Sequence, residues 1–234
     1  MLVSNDLAHD PRFTEAARSR YAAGQIAARI GVPLARDGVV QAILSIEQNR
    51  PRHWTRGEVV LIGEVAERMW GLLERARTEQ ALKARERDQA FLVEWSDALR
   101  PLTAPDDIMP VTMERLGRHL GATRVTYAEA DEVERVFTTC WDWCDGCPSL
   151  VGTRVALGDI GEQAKREWMA GEIVRYDDVA GDPRNDEGDM AVYAERQIGA
   201  FISIPLIRAG RVAAILSVQC RTPRRWRDLS LIHI

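Results

Sequence analysis

Residues 1–56 and 173–228 of this chain are one stretch written twice at a constant offset of 172 residues, with 24 identical pairs in 56 and no gap. The identities include Asp10-Pro11-Arg12 with Asp182-Pro183-Arg184, Tyr21 with Tyr193, Ala42-Ile43-Leu44-Ser45 with Ala214-Ile215-Leu216-Ser217, and Trp54 with Trp226. A period this long means a duplicated domain rather than a solenoid of short repeats. Whatever one copy folds into, the other must fold into too. If the second copy starts near Trp95, the first is expected to start roughly 75 to 80 residues before Met1, so its opening helix and strands would precede this chain.

Each copy ends in a hairpin. The strands are expected at Ala28–Ala35 and Val39–Glu47 around Asp37-Gly38, and at Ala200–Ile207 and Arg211–Gln219 around Ala209-Gly210, where glycine supplies the positive φ of a tight turn. The copies agree on one face and differ on the other. Ala28, Ile30, Val32, Leu34, Val40, Ala42, Leu44 and Ile46 match their counterparts Ala200 to Val218 in character, and this parity should pack on helices. Arg29, Gly31 and Gln41 stand against Phe201, Ser203 and Ala213, the pattern of a face lining a site that differs between copies. Pro33 and Pro205 predict a bulge or an edge within these strands.

Thr55-Arg56-Gly57-Glu58 reads as a capping box opening a helix that runs to about Leu99. Ile62, Val65, Met69, Leu72 and Ala76 form its apolar stripe, Leu92, Trp95 and Leu99 resume it, and the stretch Arg77–Arg87 between them is charged. Some 45 residues would span about 68 Å, more than one domain needs. The expected way to bury such a stripe is a parallel two-stranded coiled coil, hence a homodimer. In the second copy a helix capped by Thr103 should carry Met109, Met113, Leu116 and Leu120 and stop at Gly121. Strands follow at Arg124–Ala128 and Arg135–Trp141, a helix at Ile160–Ala170, a strand at Glu172–Tyr176, and a loop over Asp177–Asp189 leading to a short helix through Ala194. Helices before, inside and after a hairpin-rich antiparallel sheet make the fold class α+β. The expected organisation is residues 1–54 as the C-terminal part of a first domain, 55–99 as connecting helix and 100–228 as a second domain. The hexapeptide Leu229–Ile234 matches the translation of a sequencing-library adapter and is expected to be read-through.

The remaining chemistry is sparse. A net charge of −4 gives no uniform attraction to nucleic acid, and only Lys83 and Lys165 are lysines. Apolar runs are too short to cross a bilayer, so no membrane contact is expected. Four cysteines, three of them bunched, fit reduced thiols in a cytoplasmic protein. Cys140, Cys144 and Cys147 could sense redox state, though zinc would need a fourth ligand that the spacing does not supply. No glycine-rich phosphate loop, nucleophile elbow or paired-histidine metal motif is present in the sequence, which counts against catalysis.

The order from Thr103 to Trp226 resembles a GAF domain. The residues that carry the likeness are Val179-Ala180-Gly181-Asp182-Pro183-Arg184, Ile204-Pro205-Leu206-Ile207-Arg208-Ala209-Gly210-Arg211, Ala214-Ile215-Leu216-Ser217-Val218 and Pro223-Arg224-Arg225-Trp226. The run Glu64–Arg87 looks like the exit helix that joins such domains to further modules. The resemblance implies an antiparallel sheet with terminal helices on one face and a ligand-capable pocket on the other. It also implies a noncatalytic sensory module of a signalling protein, with a histidine kinase as output. Candidate pocket residues are Trp141, Trp143, Tyr193, Gln197, Phe201, Ser203, Ile215 and Ser217, facing a small ligand whose identity, like that of any cofactor, is unspecified. The alternatives are a thiol enzyme resembling free methionine sulfoxide reductase, and a purely structural dimerisation scaffold.

Overall fold

In a computed structural model, which describes residues 1–131 and 133–226, the duplication holds element by element. The chain divides into two compact units, Met1–Asp88 and Gln89 onward. The first contains β1 (Leu2–Ser4), α1 (Glu15–Ala23), β2 (Ala28–Arg36), β3 (Val39–Gln48) and the start of α2 (Arg56–Leu99). The second contains the last turns of α2, then α3 (Pro105–Leu120), β4 (Arg124–Asp131), β5 (Val136–Cys144), β6 (Arg154–Ala156), α4 (Glu162–Met169), β7 (Val174–Tyr176), α5 (Glu187–Glu195), β8 (Ala200–Arg208) and β9 (Arg211–Cys220). The bounds of β7, α5, β8 and β9 are those of β1, α1, β2 and β3 shifted by 172. The sheets are antiparallel, ordered β1-β2-β3 in the first unit and β6-β5-β4-β9-β8-β7 in the second. Leu229–Ile234 lies outside the described residues. No described helix is long and apolar enough to cross a membrane.

What the repeated residues do is architectural. Trp54 and Trp226 donate their indole N–H to the carbonyls of Ser4 and Tyr176, at 3.1 and 3.0 Å. Their backbone N–H groups donate to Asn5 Oδ1 and Asp177 Oδ1, both at 3.1 Å. Arg52 and Arg224 each lie 4.6 Å over the indole ring, a cation–π contact. Arg12 and Arg184 each grip the aspartate two residues earlier and reach the carbonyls of Val3 and Arg175. The Asp-Pro-Arg motif therefore fastens a turn to the first strand of each hairpin sheet.

Both prolines do what their missing N–H requires. A bulge follows each one, between Leu34/Ala35 and between Leu206/Ile207, and β7 pairs with β8 only over Phe201–Ser203, leaving Pro205 unpaired on that side. The bulge corrects one expectation. The extra residue on β9, Ala213, reverses the alternation, so Val212 sits with Ile215 and Phe137 rather than on the helix-packed parity.

The capping box at α2 is present, with Thr55 and Glu58 exchanging backbone-to-side-chain bonds of 2.9 and 3.3 Å. Helix α3 differs from expectation: Ala104, not Thr103, is its N-cap, it has no side-chain cap bond, and Pro105 opens it instead. Gly121 closes α3 at φ 59° as expected. The stripe foreseen on α2 divides. Ile62, Ala66, Met69 and Trp70 pack on Ile30, Val32 and Leu34 of their own sheet, whereas Val65 and Leu72 stay exposed. At the other end, Phe91 stacks on His119 with ring centres 4.1 Å apart, and Trp95 donates to Thr112 Oγ1 at 3.3 Å, joining the last turns of α2 to α3.

Candidate functional site

The second sheet is covered on both faces, and the two coverings differ in kind. On one face Met109, Met113, Leu116 and Leu120 of α3 pack on Val125, Ile202, Val218, Ala200 and Trp226. On the other, α4 supplies Ala164 and Trp168, and Tyr193 comes from α5, against Phe201, Tyr176, Val174 and Ile215. Register places Phe201, Ser203, Ser217 and Ile215 on this second face. The face predicted to diverge between copies is thus the one that α4 covers.

Trp141 and Trp143 do not join them. Both pack into the α3 core, Trp141 tilted against Tyr127 at 5.8 Å and Trp143 wedged over Gly117. Their parity on β5, opposite Tyr127 and Val125, turns them to the helix side, which removes them from the candidate pocket. Gln197 is also displaced. It is an exposed residue at φ 56° in the turn from α5 to β8, as Gln25 is at φ 55° in the first unit, so it shapes backbone rather than lining a cavity.

Where the remaining candidates meet, side chains fill the space. Phe201 stacks on Tyr176 at 4.9 Å and lies 5.5 Å from Tyr193, whose hydroxyl burial holds well above the ordinary tyrosine range. Trp168 donates its indole N–H to the fully buried Ser203 Oγ at 2.9 Å. The first unit solves the same position with polar groups. Arg29 replaces Phe201 and reaches Tyr21 Oη at 2.9 Å and Ser45 Oγ at 2.5 Å, with Glu47 at 3.5 Å.

Open space lies at the end of the covered face, beside Ile215, which packs with the lining residues Phe137 and Val212. A cavity of about 320 Å³ is lined by Ala130, Asp131, Arg135, Val136 and Phe137 of the β4–β5 hairpin, Leu157 in the turn after β6, Met169 at the end of α4, and Gly210, Arg211 and Val212 at the β8–β9 turn. Its volume is at the lower end of small-molecule pockets. Its walls are mainly apolar, with two arginines and one carboxylate among them. Sequence reasoning missed it because four separate segments build it, and the bulge at Ala213 turns Val212 inward against the simple alternation.

A curled six-stranded antiparallel sheet, one face under the helix that enters the domain and the other under the helices inserted between strands, is the geometry against which the chain can be compared. The family model for the GAF domain matches residues 1–92 and again 104–231. The chain belongs to the GAF family. Among solved structures the fold is similar to the phycocyanobilin-bound GAF domain of a cyanobacterial phytochrome, at TM-score 0.53 and 16% identity over 62% of this chain and 85% of that one. It is also similar to the chromophore-binding domain of a bacteriophytochrome from R. palustris, at TM-score 0.52 and 16% identity over 86% of this chain and 63% of that one. No curated protein matches.

In the second GAF segment one charged group stands apart. Arg124 is 2% exposed, and its guanidinium donates to the carbonyls of Arg196 (2.9 Å) and Pro148 (2.8 Å) and to Gln219 Oε1 (3.0 Å), while Nε has no partner. Cys144, its cross-strand neighbour, touches the same Pro148 carbonyl at 3.5 Å and lies 3.5 Å from Asp142. Burial pushes the Cys144 thiol up to about 12; the Arg124 guanidinium opposes the shift and the Asp142 carboxylate adds to it. Cys147 meets the Thr123 carbonyl at 3.2 Å. Cys140 bonds within its own strand to the Thr138 carbonyl, and burial raises its thiol as well. Among the described residues no group of three or more His, Cys, Asp or Glu side chains is placed to hold a metal ion.

Proposed function

We propose that this GAF chain is the sensory part of a cytoplasmic signalling protein, in which α2 pairs with the α2 of a second copy and relays ligand occupancy to an output domain, a histidine kinase. The observation that carries the reading is the face of α2 that its own domain leaves bare. Leu61, Val65, Leu72, Leu82 and Val93 are each between 51% and 69% exposed. Their successive spacings of 4, 7, 10 and 11 residues are sums of threes and fours, so all five occupy one a/d seam of a heptad frame. The seam that faces a partner is therefore not the sheet-facing stripe of Ile62 and Met69.

The same frame puts Arg68, Arg75, Glu79 and Glu86 at other seam positions. Polar residues there weaken a coiled coil while setting its register. A helix pair held this loosely has two arrangements of similar energy, and a ligand that prefers one of them shifts the balance. The cavity beneath Met169 is the place for that ligand, a small and largely apolar molecule. Sedimentation equilibrium tests the pairing: the chain is expected to dimerise, and Leu72→Glu with Leu82→Glu to abolish dimers without loss of helix by circular dichroism. A chain that stays monomeric at all measurable concentrations, or a double variant that still dimerises, overturns the reading.

A further inference from the structure

The turn Cys144-Asp145-Gly146-Cys147 closes the end of β5, with Gly146 at φ 69°. Three of its groups converge on two neighbouring carbonyls. The Asp145 N–H and the Cys147 thiol both reach the Thr123 carbonyl, at 2.9 and 3.2 Å, and the Cys144 thiol reaches that of Pro148 at 3.5 Å. Only Asp145 and Gly146 separate the two cysteines. Cys140 is bonded to its own strand and separated from them by Trp141 and Trp143, which pack on the other face of the sheet. The Cys-x2-Cys spacing and the tight turn at Gly146 hold both thiols in one short loop, as a disulfide between near neighbours requires.

We propose that Cys144 and Cys147, and not Cys140, form a reversible dithiol–disulfide pair that responds to small hydroperoxides. The thiolate of Cys147 attacks the peroxide O–O bond and becomes a sulfenic acid, and the other oxygen leaves as an alcohol or water. The Cys144 sulfur then attacks the sulfenic sulfur, and its proton leaves with the hydroxide as water. Two thiols are oxidised and one peroxide is reduced. The order follows from the surroundings: Cys147 is flanked by the exposed Asp145, Gly146, Pro148 and Ser149, while Cys144 lies on its strand opposite the buried Arg124 and within 3.5 Å of Asp142.

Oxidation would have a mechanical outlet. Closing the bond draws the Cys147 thiol off the Thr123 carbonyl and the Cys144 thiol off that of Pro148, which also accepts from the buried Arg124. Cys144 directly follows Trp143, and Trp143 is wedged on Gly117 of α3, the helix on which Phe91 and Trp95 of α2 rest. A change at the turn thus pushes on the element that meets the end of α2.

The test treats the whole chain with hydrogen peroxide, blocks remaining thiols, and cleaves before aspartate, which separates all three cysteines because Asp142 and Asp145 lie between them. The expected product is a crosslinked Cys144–Cys147 peptide pair, lighter by two hydrogens, formed equally in Cys140→Ser and reversed by dithiothreitol. Cys144→Ser should stop at a sulfenic acid on Cys147 that dimedone traps. A bond that includes Cys140, a crosslink only between chains, or three thiols that remain alkylatable would each overturn the proposal. So would a trapped sulfenic acid on Cys144 in the Cys147→Ser variant with none on Cys147 in Cys144→Ser, since that reverses the assigned order.

Discussion

Gly117→Ala isolates the contact that ties β5 to α3. In an exposed helix this substitution stabilises by about 0.8–1.0 kcal/mol, because alanine restricts the unfolded chain. Here a Cβ would stand 2.2 and 2.3 Å from Cε3 and Cζ3 of Trp143 and 3.2 Å from Cδ2. Favourable carbon contacts begin near 3.5 Å, so the indole must withdraw by about 1.2 Å or more. It cannot do so freely, because Trp143 belongs to the core beside Leu116 and Val125. Overpacking of this kind costs about 1–3 kcal/mol, so the net effect is a loss of about 0–2 kcal/mol where propensity alone predicts a gain. The control is Trp143→Leu, which removes the obstructing ring edge. In that background Gly117→Ala should regain its stabilising sign, and the coupling across the double-mutant cycle should be about 1–3 kcal/mol. Guanidinium unfolding followed by far-ultraviolet circular dichroism measures all four proteins without relying on the tryptophan signal. If Gly117→Ala stabilises both backgrounds equally, Trp143 is not seated on α3 and the packing argument fails.

Arg124→Leu should destabilise the second unit by about 2–4 kcal/mol, because it strands the carbonyls of Pro148 and Arg196 and the amide oxygen of Gln219 without donors; thermal unfolding unchanged from wild type would refute the network. The carboxyls of Asp177 and Asp182 are held below the usual range, first by hydrogen bonds from Arg175 and Arg184 respectively. A depressed folded value stabilises above the unfolded value of 3.8 and is lost as pH falls through the folded value. Acid unfolding should therefore steepen below about pH 4, and Asp182→Asn should flatten it; an unchanged acid limb would count against the Asp-Pro-Arg turn as a fastening. The Cys144 thiol, raised to about 12 from 9, gives the opposite linkage: stability should decline as pH rises from about 9 towards 12, and Cys144→Ser should lessen that decline. The same shift should make Cys144 slow to alkylate at pH 8 in the folded protein, and a rate equal to that in the unfolded chain by mass spectrometry would refute its burial.

The sequence alone determined the duplication, the hairpins, the capping box and the α+β class, because each rests on local chemistry or on a comparison of the chain with itself. Glycine at a turn, an alternating strand and a threonine three residues before a glutamate act through near neighbours. The repeat also marked position 29/201 as divergent, and there the structure has an arginine network in one unit and an aromatic stack in the other. Tertiary structure decided the rest. Trp141 and Trp143 pack on α3 rather than on the covered face because the side they take depends on the pairing of β5 with β4, a long-range register that no local pattern encodes. A single extra residue at Ala213 turned Val212 to the other face, since side-chain direction alternates along a strand and one insertion inverts it. The stripe on α2 likewise divided only once the sheet had claimed Ile62 and Met69, which left Val65 and Leu72 outside. Periodicity shows which residues want burial, and only packing shows which of them their own domain can bury.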